Sequence, residues 1–477
     1  MKQKTDHIFP KTPTGINGLD EVTNGGFPKG RPTLVCGSAG CGKTLFGIQF
    51  LAQGILEYGE NGVFMSFEET KSDLAQNVQS LGIDIEKLVA QKKLRIDYVQ
   101  IERSEIEETG EYDLEALFIR LGHAIESVGA KRVVLDTMES LFSGIDNTAV
   151  LRSEIRRLFH WLKQKGITAV ITGESGGKSL TRQGLEEFVS DCVILLDFRV
   201  IDQIATRRLR IVKYRGSTHG SNEYPFLIDE NGISVLPITS LKLEHKISSD
   251  IISTGLKEID DLFSKGGFFR GSSTLLTGTA GTAKTILASY FALSSCKRKE
   301  RTLYLSFEES PDQLVRNMQS VGIHLSPFVK SKVLTIHSSR PSLQGLEMHL
   351  LILNKLIEQH RPKTVIVDPI SSLLSIGSIS EVRDMLVRLI DMLKTRNINA
   401  FFTSLTHDSS SDEKDSTVNA ISSLADIWIN LENEKHNEQR IRGLRIVKSR
   451  GMGHETETQH FTIGSKGIRL LHSIENS

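Results

Sequence analysis

The stretch Gly37-Ser38-Ala39-Gly40-Cys41-Gly42-Lys43-Thr44 matches the pattern G-x-x-x-x-G-K-[ST] at every position. A second stretch begins 241 positions later, Gly278-Thr279-Ala280-Gly281-Thr282-Ala283-Lys284-Thr285, and Ala283 replaces the glycine before its lysine. In such loops the backbone N–H groups curl around phosphate oxygens, the lysine reaches the β- and γ-phosphates, and the threonine hydroxyl completes a Mg²⁺ shell. All residues of both stretches are therefore candidate nucleotide-binding residues, and Thr44 and Thr285 are candidate Mg²⁺ ligands.

The two loops belong to a longer repeat that keeps one order of motifs in both halves of the chain. The recurring pairs are Thr14–Asp20 with Thr254–Asp260, Gly25–Phe27 with Gly266–Phe268, Phe67–Thr70 with Phe307–Ser310, Val133–Asp136 with Val365–Asp368, and Ile211–Gly216 with Ile446–Gly451. Collinear pairs of this kind indicate a tandem duplication. We predict two domains, residues 1–243 and 244–477, with the polar stretch Glu244–Asp250 as the linker.

Within each half, short β-branched runs alternate with longer amphipathic segments such as Ala149–Gly166 and Glu381–Asn397. This alternation predicts an α/β fold, in which a mainly parallel sheet is buried on both faces by helices. A ligand of such a sheet lies beyond the carboxyl ends of the strands. Each recurring motif is expected at such a strand end.

Carboxylates follow two of the predicted strands in each half. Asp136 and Asp368 end apolar runs, which suits a residue that supports Mg²⁺, although an aspartate can also cap a turn. The pairs Glu68-Glu69 and Glu308-Glu309 also follow apolar runs. Because adjacent acids repel each other, we interpret one of each pair as the catalytic base and the other as a Mg²⁺ or outer-shell partner, with Glu308 a candidate metal ligand. A solvated helix start is the structural alternative.

A basic element sits late in each half. Lys213, Arg215 and His219 in the first half recur as Lys448, Arg450 and His454 in the second. Such cations can simply pair with surface acids. Their recurrence favours a role at a γ-phosphate, where a positive finger often comes from a neighbouring subunit. That role implies a ring.

Composition restricts the class of protein. The chain of 477 residues has 58 basic and 58 acidic side chains, and no apolar run approaches the roughly 18 residues of a membrane span. Its start is not a signal peptide, so we expect a cytoplasmic protein without a membrane partner. The four cysteines lack zinc-like spacing and are expected to be buried thiols.

These motifs resemble the KaiC family. The first half carries T-G-I-N-G-L-D, G-S-A-G-C-G-K-T, F-E-E-T, V-V-L-D-T, E-E-F-V-S-D and K-Y-R-G-S-T-H, and the second carries T-G-T-A-G-T-A-K-T, F-E-E-S, V-I-V-D-P and K-S-R-G-M-G-H. The resemblance runs from about Pro13 to Leu471. It implies two tandem RecA-like P-loop NTPase domains in a double-ring homohexamer with ATP and Mg²⁺ at the subunit interfaces. It also implies ATPase activity in the first ring and serine/threonine autokinase and autophosphatase activity in the second.

By position in the motifs, the resemblance adds residues to each nucleotide site. They are Ser80, Lys213, Arg215 and His219 in the first half and Lys448, Arg450 and His454 in the second.

The same resemblance suggests the phosphoacceptors. When Asp191 is aligned with Asp426, residues 187–190 lie opposite 422–425, where the second half has a pair of hydroxyls. The family carries a neighbouring Ser-Thr pair here, which implies Ser422 and Ser423 as phosphosites, with Thr417 a less secure third position. Serines that fill a turn before a strand are the alternative.

Two departures limit the resemblance. Ala283 adds a methyl group to the second glycine loop, and only 23 residues follow His454, which looks too short for the tail that KaiA engages. We therefore do not expect KaiA binding, and we leave open whether a KaiB-like protein binds the first ring. A signalling or timing role is expected.

Two other classes of function also fit the motifs. One is a RecA-like ATP-dependent nucleic-acid-binding protein, which the zero net charge, 7 Tyr and 2 Trp disfavour. The other is a nucleotide-gated scaffold with little turnover.

Overall fold

The computed structural model describes residues 9–100, 115–142, 147–176, 190–201, 204–237, 248–406, 422–436, 439–465 and 467–471. The chain divides into two compact units, Met1–Thr239 and Ser240–Ser477. The predicted boundary between residues 243 and 244 falls outside the described residues and stays a prediction. No helix in these described ranges combines the length and apolarity that a membrane crossing requires.

The described part of the first unit contains eleven strands and seven α-helices. The strands are β1 (Lys11–Thr12), β2 (Phe27–Pro28), β3 (Pro32–Gly37), β4 (Gly62–Ser66), β5 (Leu94–Tyr98), β6 (Arg132–Asp136), β7 (Thr168–Glu174), β8 (Cys192–Ile201), β9 (Ile204–Tyr214), β10 (Glu223–Asp229) and β11 (Gly232–Val235). The helices are α1 (Leu19–Val22), α2 (Lys43–Tyr58), α3 (Lys71–Gln79), α4 (Ile85–Ala90), α5 (Glu115–Val128), α6 (Met138–Leu141) and α7 (Thr148–Gln164).

Nine of these strands form one sheet in the order β11-β10-β9-β8-β3-β7-β6-β4-β5. The six strands from β8 to β5 are parallel, whereas β9, β10 and β11 run antiparallel to their neighbours. Along β4, Val63 and Met65 pack into one hydrophobic core and Phe64 into another on the opposite face. Both faces of the sheet are therefore buried, as the uninterrupted apolar runs predicted.

The second unit repeats this architecture. Its described strands are β12 (Ile251–Ile252), β13 (Phe268–Phe269), β14 (Ser273–Gly278), β15 (Thr302–Ser306), β16 (Leu334–Ser338), β17 (Thr364–Asp368), β18 (Asn399–Leu405), β19 (Ile427–His436), β20 (Gln439–Ser449), β21 (Gln459–Gly464) and β22 (Gly467–Leu470). Its described helices are α8 (Lys257–Asp260), α9 (Lys284–Lys297), α10 (Pro311–Ser320), α11 (Ser326–Lys330), α12 (Leu346–His360) and α13 (Ile379–Thr395), with 3₁₀ turns at Pro341–Leu343 and Ile370–Ser375.

The second nine-stranded sheet has the order β16-β15-β17-β18-β14-β19-β20-β21-β22, which is the same order as in the first unit. In the first unit, β7 lies between β3, which leads into the glycine loop, and β6, which ends in Asp136. In the second unit, β18 lies between β14 and β17 in the same way. The predicted α/β class with two mainly parallel sheets is confirmed. The four cysteines are buried and form no disulfide, as expected, and burial raises the pKa of Cys192 to about 12.

Each glycine loop enters its helix through a left-handed residue. Gly42 has φ 103°, and a Cβ there would approach Ile228 Cδ1 at 2.9 Å. Ala283 occupies the equivalent position with φ 81°, which L-residues adopt at a cost of about 1–2 kcal/mol. The loop geometry of the first unit is therefore kept in the second despite the extra methyl group.

The first unit contains a fully buried arginine. Arg132 donates from Nε to Glu60 Oε2 at 2.7 Å, from Nη1 to the Phe50 carbonyl at 3.0 Å, and from Nη2 to the Pro13 carbonyl at 2.9 Å. The guanidinium has room because residue 54 is glycine, where a Cβ would lie 2.5 Å from Arg132 Cδ. One side chain thus joins the chain before β2, helix α2 and the start of β6.

The second unit builds the same junction without an arginine at the position of Arg132. Glu300, the counterpart of Glu60, pairs instead with Arg270 at 2.7 Å and Arg298 at 3.0 Å. Ser295 and Thr364 occupy the positions equivalent to Gly54 and Arg132, and their hydroxyls are 2.9 Å apart. Both residues are fully buried.

We expect Arg132→Ala to destabilise the first unit by about 3–5 kcal/mol, because it leaves Glu60 and a buried carbonyl without their donor. Urea unfolding followed by circular dichroism measures this loss. Arg157→Ala is the matched control, since Arg157 pairs with Glu115 on the surface, where ion pairs contribute at most about 1 kcal/mol. Equal unfolding midpoints for the two variants would contradict the structural role of Arg132.

Candidate functional site

The first glycine loop joins β3 to α2 and is closed by its own lysine. Lys43 Nζ donates to the carbonyls of Gly37 at 2.9 Å and Ser38 at 3.0 Å. These carbonyls hold the ammonium group inside the loop. When a phosphate binds there, its oxygens would accept the hydrogen bonds of Lys43 in place of the carbonyls. The loop is therefore preformed for an anion.

Asp136 lies beside this loop at the end of β6. Its Oδ2 accepts from the Thr44 hydroxyl at 2.8 Å and its Oδ1 from the Thr172 hydroxyl. Burial raises the pKa of Asp136, and the two threonine hydrogen bonds oppose that shift. The structure thus brings together the two residues that the sequence predicted as Mg²⁺ ligands in this half.

The glutamate pair follows β4, next to β6. Glu68 Oε1 accepts from the hydroxyls of Thr137 at 2.9 Å and Ser140, so it faces the segment that follows Asp136. Glu69 turns towards helix α3 and accepts from Asn77 Nδ2 at 3.1 Å. Burial raises the pKa of Glu69, and the Asn77 hydrogen bond opposes the shift. The two carboxylates therefore have different surroundings.

The second glycine loop closes in the same way. Lys284 Nζ donates to the carbonyls of Gly278 at 2.7 Å and Thr279 at 2.6 Å, and burial lowers the pKa of Lys284. The loop borders an open cleft of about 410 Å³, whose lining includes Lys284, Thr285, Glu308, Glu309, Asp368 and Arg442. The cleft therefore brings together the lysine, threonine, glutamates and aspartate that the sequence predicted for the second nucleotide site.

Asp368 has different partners from Asp136. Thr403 donates to its Oδ1, as Thr172 does to Asp136, but its Oδ2 accepts from the Tyr304 hydroxyl at 2.7 Å. Tyr304 is fully buried, and this burial together with the Asp368 charge raises the tyrosine pKa. The sequence did not reveal Tyr304, because a tyrosine within an apolar strand looks like core.

The glutamate pair of the second unit keeps the arrangement of the first. Glu308 Oε1 accepts from Ser372 Oγ at 3.2 Å, and Glu309 Oε1 accepts from Asn317 Nδ2 at 3.1 Å. Glu309 Oε2 is buried and accepts no hydrogen bond among the described residues. A buried carboxylate oxygen of this kind favours a cation or a proton nearby.

The residue types around the second loop suit Mg²⁺. This ion takes hard oxygen ligands and usually keeps several waters beside one or two carboxylates and the substrate phosphates. Thr285, Asp368 and Glu308 supply hydroxyl and carboxylate oxygens at the cleft, and Thr44 with Asp136 does so in the first unit. These residues fit the ion that the glycine loops imply.

The basic elements lie elsewhere. Lys448 is the second-to-last residue of β20, which runs antiparallel to β19. It pairs with Trp428 near the start of β19. The glycine loop follows β14, whose last residue pairs with Leu431 farther along β19. Lys448 and Arg450 are therefore displaced towards the opposite edge of the sheet from their own loop. The expectation that every motif lies at the ligand edge is wrong for this motif. It is also wrong for Gly25–Phe27 and Gly266–Phe268, which precede β3 and β14 and so lie near the amino ends of those strands.

The first unit shows the same displacement. Lys213 pairs with Val193 near the start of β8, whereas Gly37 pairs with Leu196. Arg215 N donates to the Asp191 carbonyl at 2.8 Å, as Arg450 N does to Asp426 at 2.9 Å, which confirms the alignment of the two aspartates. The difference from expectation arises because apolar patterning does not report the direction of a strand.

Lys448 and Arg450 hold the candidate phosphoacceptor segment. Lys448 Nζ donates to the carbonyls of Ser422 at 2.8 Å and Ala425 at 2.7 Å, and Arg450 Nη2 donates to the Ser423 carbonyl at 2.6 Å. Burial, and next the Arg450 charge, lower the pKa of Lys448. The serines and the cations thus form one cluster in each chain.

Of the other predicted residues, Ser80 ends a helix and the two histidines lie between strands. Ser80 is the C-cap of helix α3. His219 Nδ1 donates to the Gly220 carbonyl at 2.9 Å, and His454 Nδ1 donates to the Glu455 carbonyl at 3.1 Å. The segment equivalent to the serine pair, residues 187–189, and Thr417 lie outside the described residues.

The cleft also contains an arginine that no sequence motif indicated. Arg442 on β20 donates from Nε to the Gly281 carbonyl of the glycine loop at 3.1 Å. Its counterpart Arg207 stacks on Phe198 with its guanidinium 4.6 Å from the ring centroid. Basic residues that alternate along both strands were the available signal, and they resemble an ordinary solvated strand face.

The comparisons with known proteins agree with this site. The sequence model described as "ATPase: KaiC" matches residues 12–240 and 252–475, so it covers both units. The circadian clock protein KaiC2 of Synechocystis sp. is 54% identical over 97% of this chain and 81% of its own length. The circadian clock oscillator protein KaiC of Synechococcus elongatus is 37% identical, over 98% and 90%.

The circadian clock protein KaiC3 of Synechocystis sp. is 35% identical over 100% of this chain and 94% of its own length. These similarities extend across both glycine loops, both carboxylate sets and both basic elements. The chain belongs to the KaiC family of ATPases.

Proposed function

We propose that this protein is a homohexameric signalling or timing ATPase whose first ring hydrolyses ATP and whose second ring phosphorylates and dephosphorylates Ser422 and Ser423. ATP with Mg²⁺ is the substrate of both units. A KaiB-like partner on the first ring and a cytoplasmic location stay predictions.

The placement of the cations supports the ring. Lys448 and Arg450 are displaced away from the glycine loop of their own unit, so a second copy brings them to a triphosphate more readily than the same chain does. A cation delivered in this way stabilises the charge of phosphoryl transfer. The same displacement of Lys213 and Arg215 supports an equivalent interface in the first ring.

The arrangement around Thr44 supports hydrolysis in the first unit. Lys43 and the backbone N–H groups of its loop would hold the β- and γ-phosphates, and Glu68, oriented by Thr137, would accept the proton of the attacking water. Mg²⁺, held by Thr44 and Asp136, would neutralise the charge that develops on the phosphate oxygens. Glu69 would support Glu68 from the side of helix α3.

The serine cluster supports transfer in the second unit. The Oγ of Ser422 or Ser423 would attack the γ-phosphorus of a neighbour's ATP while the bond to the β–γ bridging oxygen breaks and ADP leaves. Glu308 of the subunit that binds ATP would take the hydroxyl proton. Lys448 and Arg450 travel with the serines, so acceptor and finger would reach the triphosphate together.

Glu68→Gln combined with Glu69→Gln should leave ATP binding largely intact and lower turnover by the first ring by about 10² or more, the usual contribution of a positioned base. Phosphate release measures turnover, and a fluorescent ATP analogue measures binding. Glu86→Gln, on the exposed face of helix α4, is the control and should behave as the parent. Undiminished turnover in the double variant would show that the pair is structural.

Incubation with ATP and Mg²⁺ should place phosphate on Ser422, Ser423 or both, and Glu308→Gln should abolish it because the hydroxyl loses its base. Mass spectrometry of the digested protein locates the phosphate. Glu358→Gln, at the surface of helix α12, is the control and should leave phosphorylation unchanged. Phosphate found solely in the first unit would overturn the assignment of kinase activity to the second.

A mixture of two inactive variants tests the intersubunit site. Lys284→Ala chains lack the loop lysine but keep the serines and cations, whereas Arg450→Ala chains keep the loop. In a mixed ring, an Arg450→Ala chain can bind ATP in its intact loop next to a Lys284→Ala chain that supplies intact serines and cations. Phosphate should therefore appear on the Lys284→Ala chain, which a mass tag identifies.

In the control mixture, the Lys284→Ala chain is replaced by a Lys284→Ala, Arg450→Ala double variant. No chain of this mixture carries an intact Arg450, so it should stay unphosphorylated. Light scattering with ATP and Mg²⁺ should give six times the mass of one chain for each mixture. Failure of hexameric mixtures to regain phosphorylation would place acceptor and loop in the same subunit.

A further inference from the structure

Tyr304 distinguishes the second nucleotide site from the first. It lies at the middle of β15 and pairs with Ile366 of β17, two residues before Asp368 on the same face of the sheet. From there its hydroxyl reaches Asp368 Oδ2 at 2.7 Å. The equivalent residue of β4 is Phe64, which pairs with Val134 and has no hydroxyl to offer Asp136.

The two sites therefore orient the metal aspartate in different ways. In the first unit, one of the two hydroxyls on Asp136 belongs to Thr44, itself a candidate metal ligand. In the second unit, both hydroxyls belong to strand residues, Tyr304 and Thr403, that are buried in the sheet. Among the described residues, no hydroxyl of the glycine loop donates to Asp368.

A second difference accompanies the tyrosine. Position 289 on helix α9, one turn after Thr285, is a fully buried serine, and the equivalent position 48 on α2 is an isoleucine. Ser289 Oγ is buried and has no hydrogen-bond partner among the described residues. A polar pair in the second unit therefore replaces an apolar pair, Phe64 and Ile48, that belongs to the core of the first. Burial of a hydroxyl lowers stability unless the hydroxyl has a hydrogen-bond partner. The exchange therefore favours a role for the Tyr304 hydroxyl.

We propose that Tyr304 is a positioning residue of the second site, which fixes Asp368 for Mg²⁺ independently of Thr285. This inference rests on the proposed nucleotide site of the second unit. Groups that orient a metal-binding carboxylate typically change metal affinity 10–100-fold when they are removed. The first site has no equivalent residue, so its response to Mg²⁺ should depend on Thr44 instead.

The test removes one oxygen atom. Tyr304→Phe keeps the ring and its packing in the core, and Tyr290→Phe, whose hydroxyl accepts from Ile468 N at 3.3 Å, is the matched control away from Asp368. Both are made in a Trp161→Phe background. Trp428, whose strand pairs with β14 beside the glycine loop, then remains as the tryptophan donor for energy transfer to a bound fluorescent ATP analogue in the second unit.

Titration with Mg²⁺ at fixed analogue concentration should shift the midpoint at least 10-fold to higher Mg²⁺ in Tyr304→Phe and leave it unchanged in Tyr290→Phe. Analogue affinity in excess EDTA should be equal in all three proteins, which a general loss of structure would not produce. An unchanged midpoint in Tyr304→Phe, with a normal response of the parent, would overturn the positioning role alone. No Mg²⁺-dependent transfer in the parent would overturn the proposed second nucleotide site as well.

Discussion

The return of the chain in the antiparallel direction after the sixth parallel strand determines how each unit can work. Parallel strands bring their carboxyl ends to one edge, so the glycine loop, the aspartate and the glutamates meet there. The next strand, β9 or β20, runs the other way and carries its terminal cations towards the opposite edge. Under the proposed function, each unit would present half of a phosphoryl-transfer site at each side, and a ring of identical chains would be the simplest way to join the halves.

The duplication provides an internal comparison of two sites with one topology. Both loops are closed by a lysine on two carbonyls, and both aspartates accept from a threonine of the neighbouring strand. The sites differ where the sheet core meets the aspartate, because Phe64 is replaced by Tyr304. If the two units differ in activity as proposed, part of that difference can begin in the sheet beneath the site, in addition to the change from Gly42 to Ala283 in the loop.

Sequence patterns predicted the parts of the structure that depend on local rules. The glycine loops, the strand ends at Asp136 and Asp368 and the helices near Ala149 and Glu381 follow from spacing and apolar periodicity. The edge occupied by Lys448 could not be predicted, because a strand has the same pattern in either direction. Tyr304 and Arg132 were missed for a related reason, since a polar atom within a core run gains its role from a distant partner.

The junction of Gly54 with Arg132 has a consequence for the history of the gene. The second half carries Ser295 and Thr364 at the same places, and the two solutions do not mix: a serine at 54 would collide with the arginine, whereas a threonine at 132 would strand Glu60. The partners are encoded far apart in each half. A gene-conversion tract that replaced one of these positions alone would therefore create a clash or an unpaired carboxylate, whereas a tract spanning both positions would not.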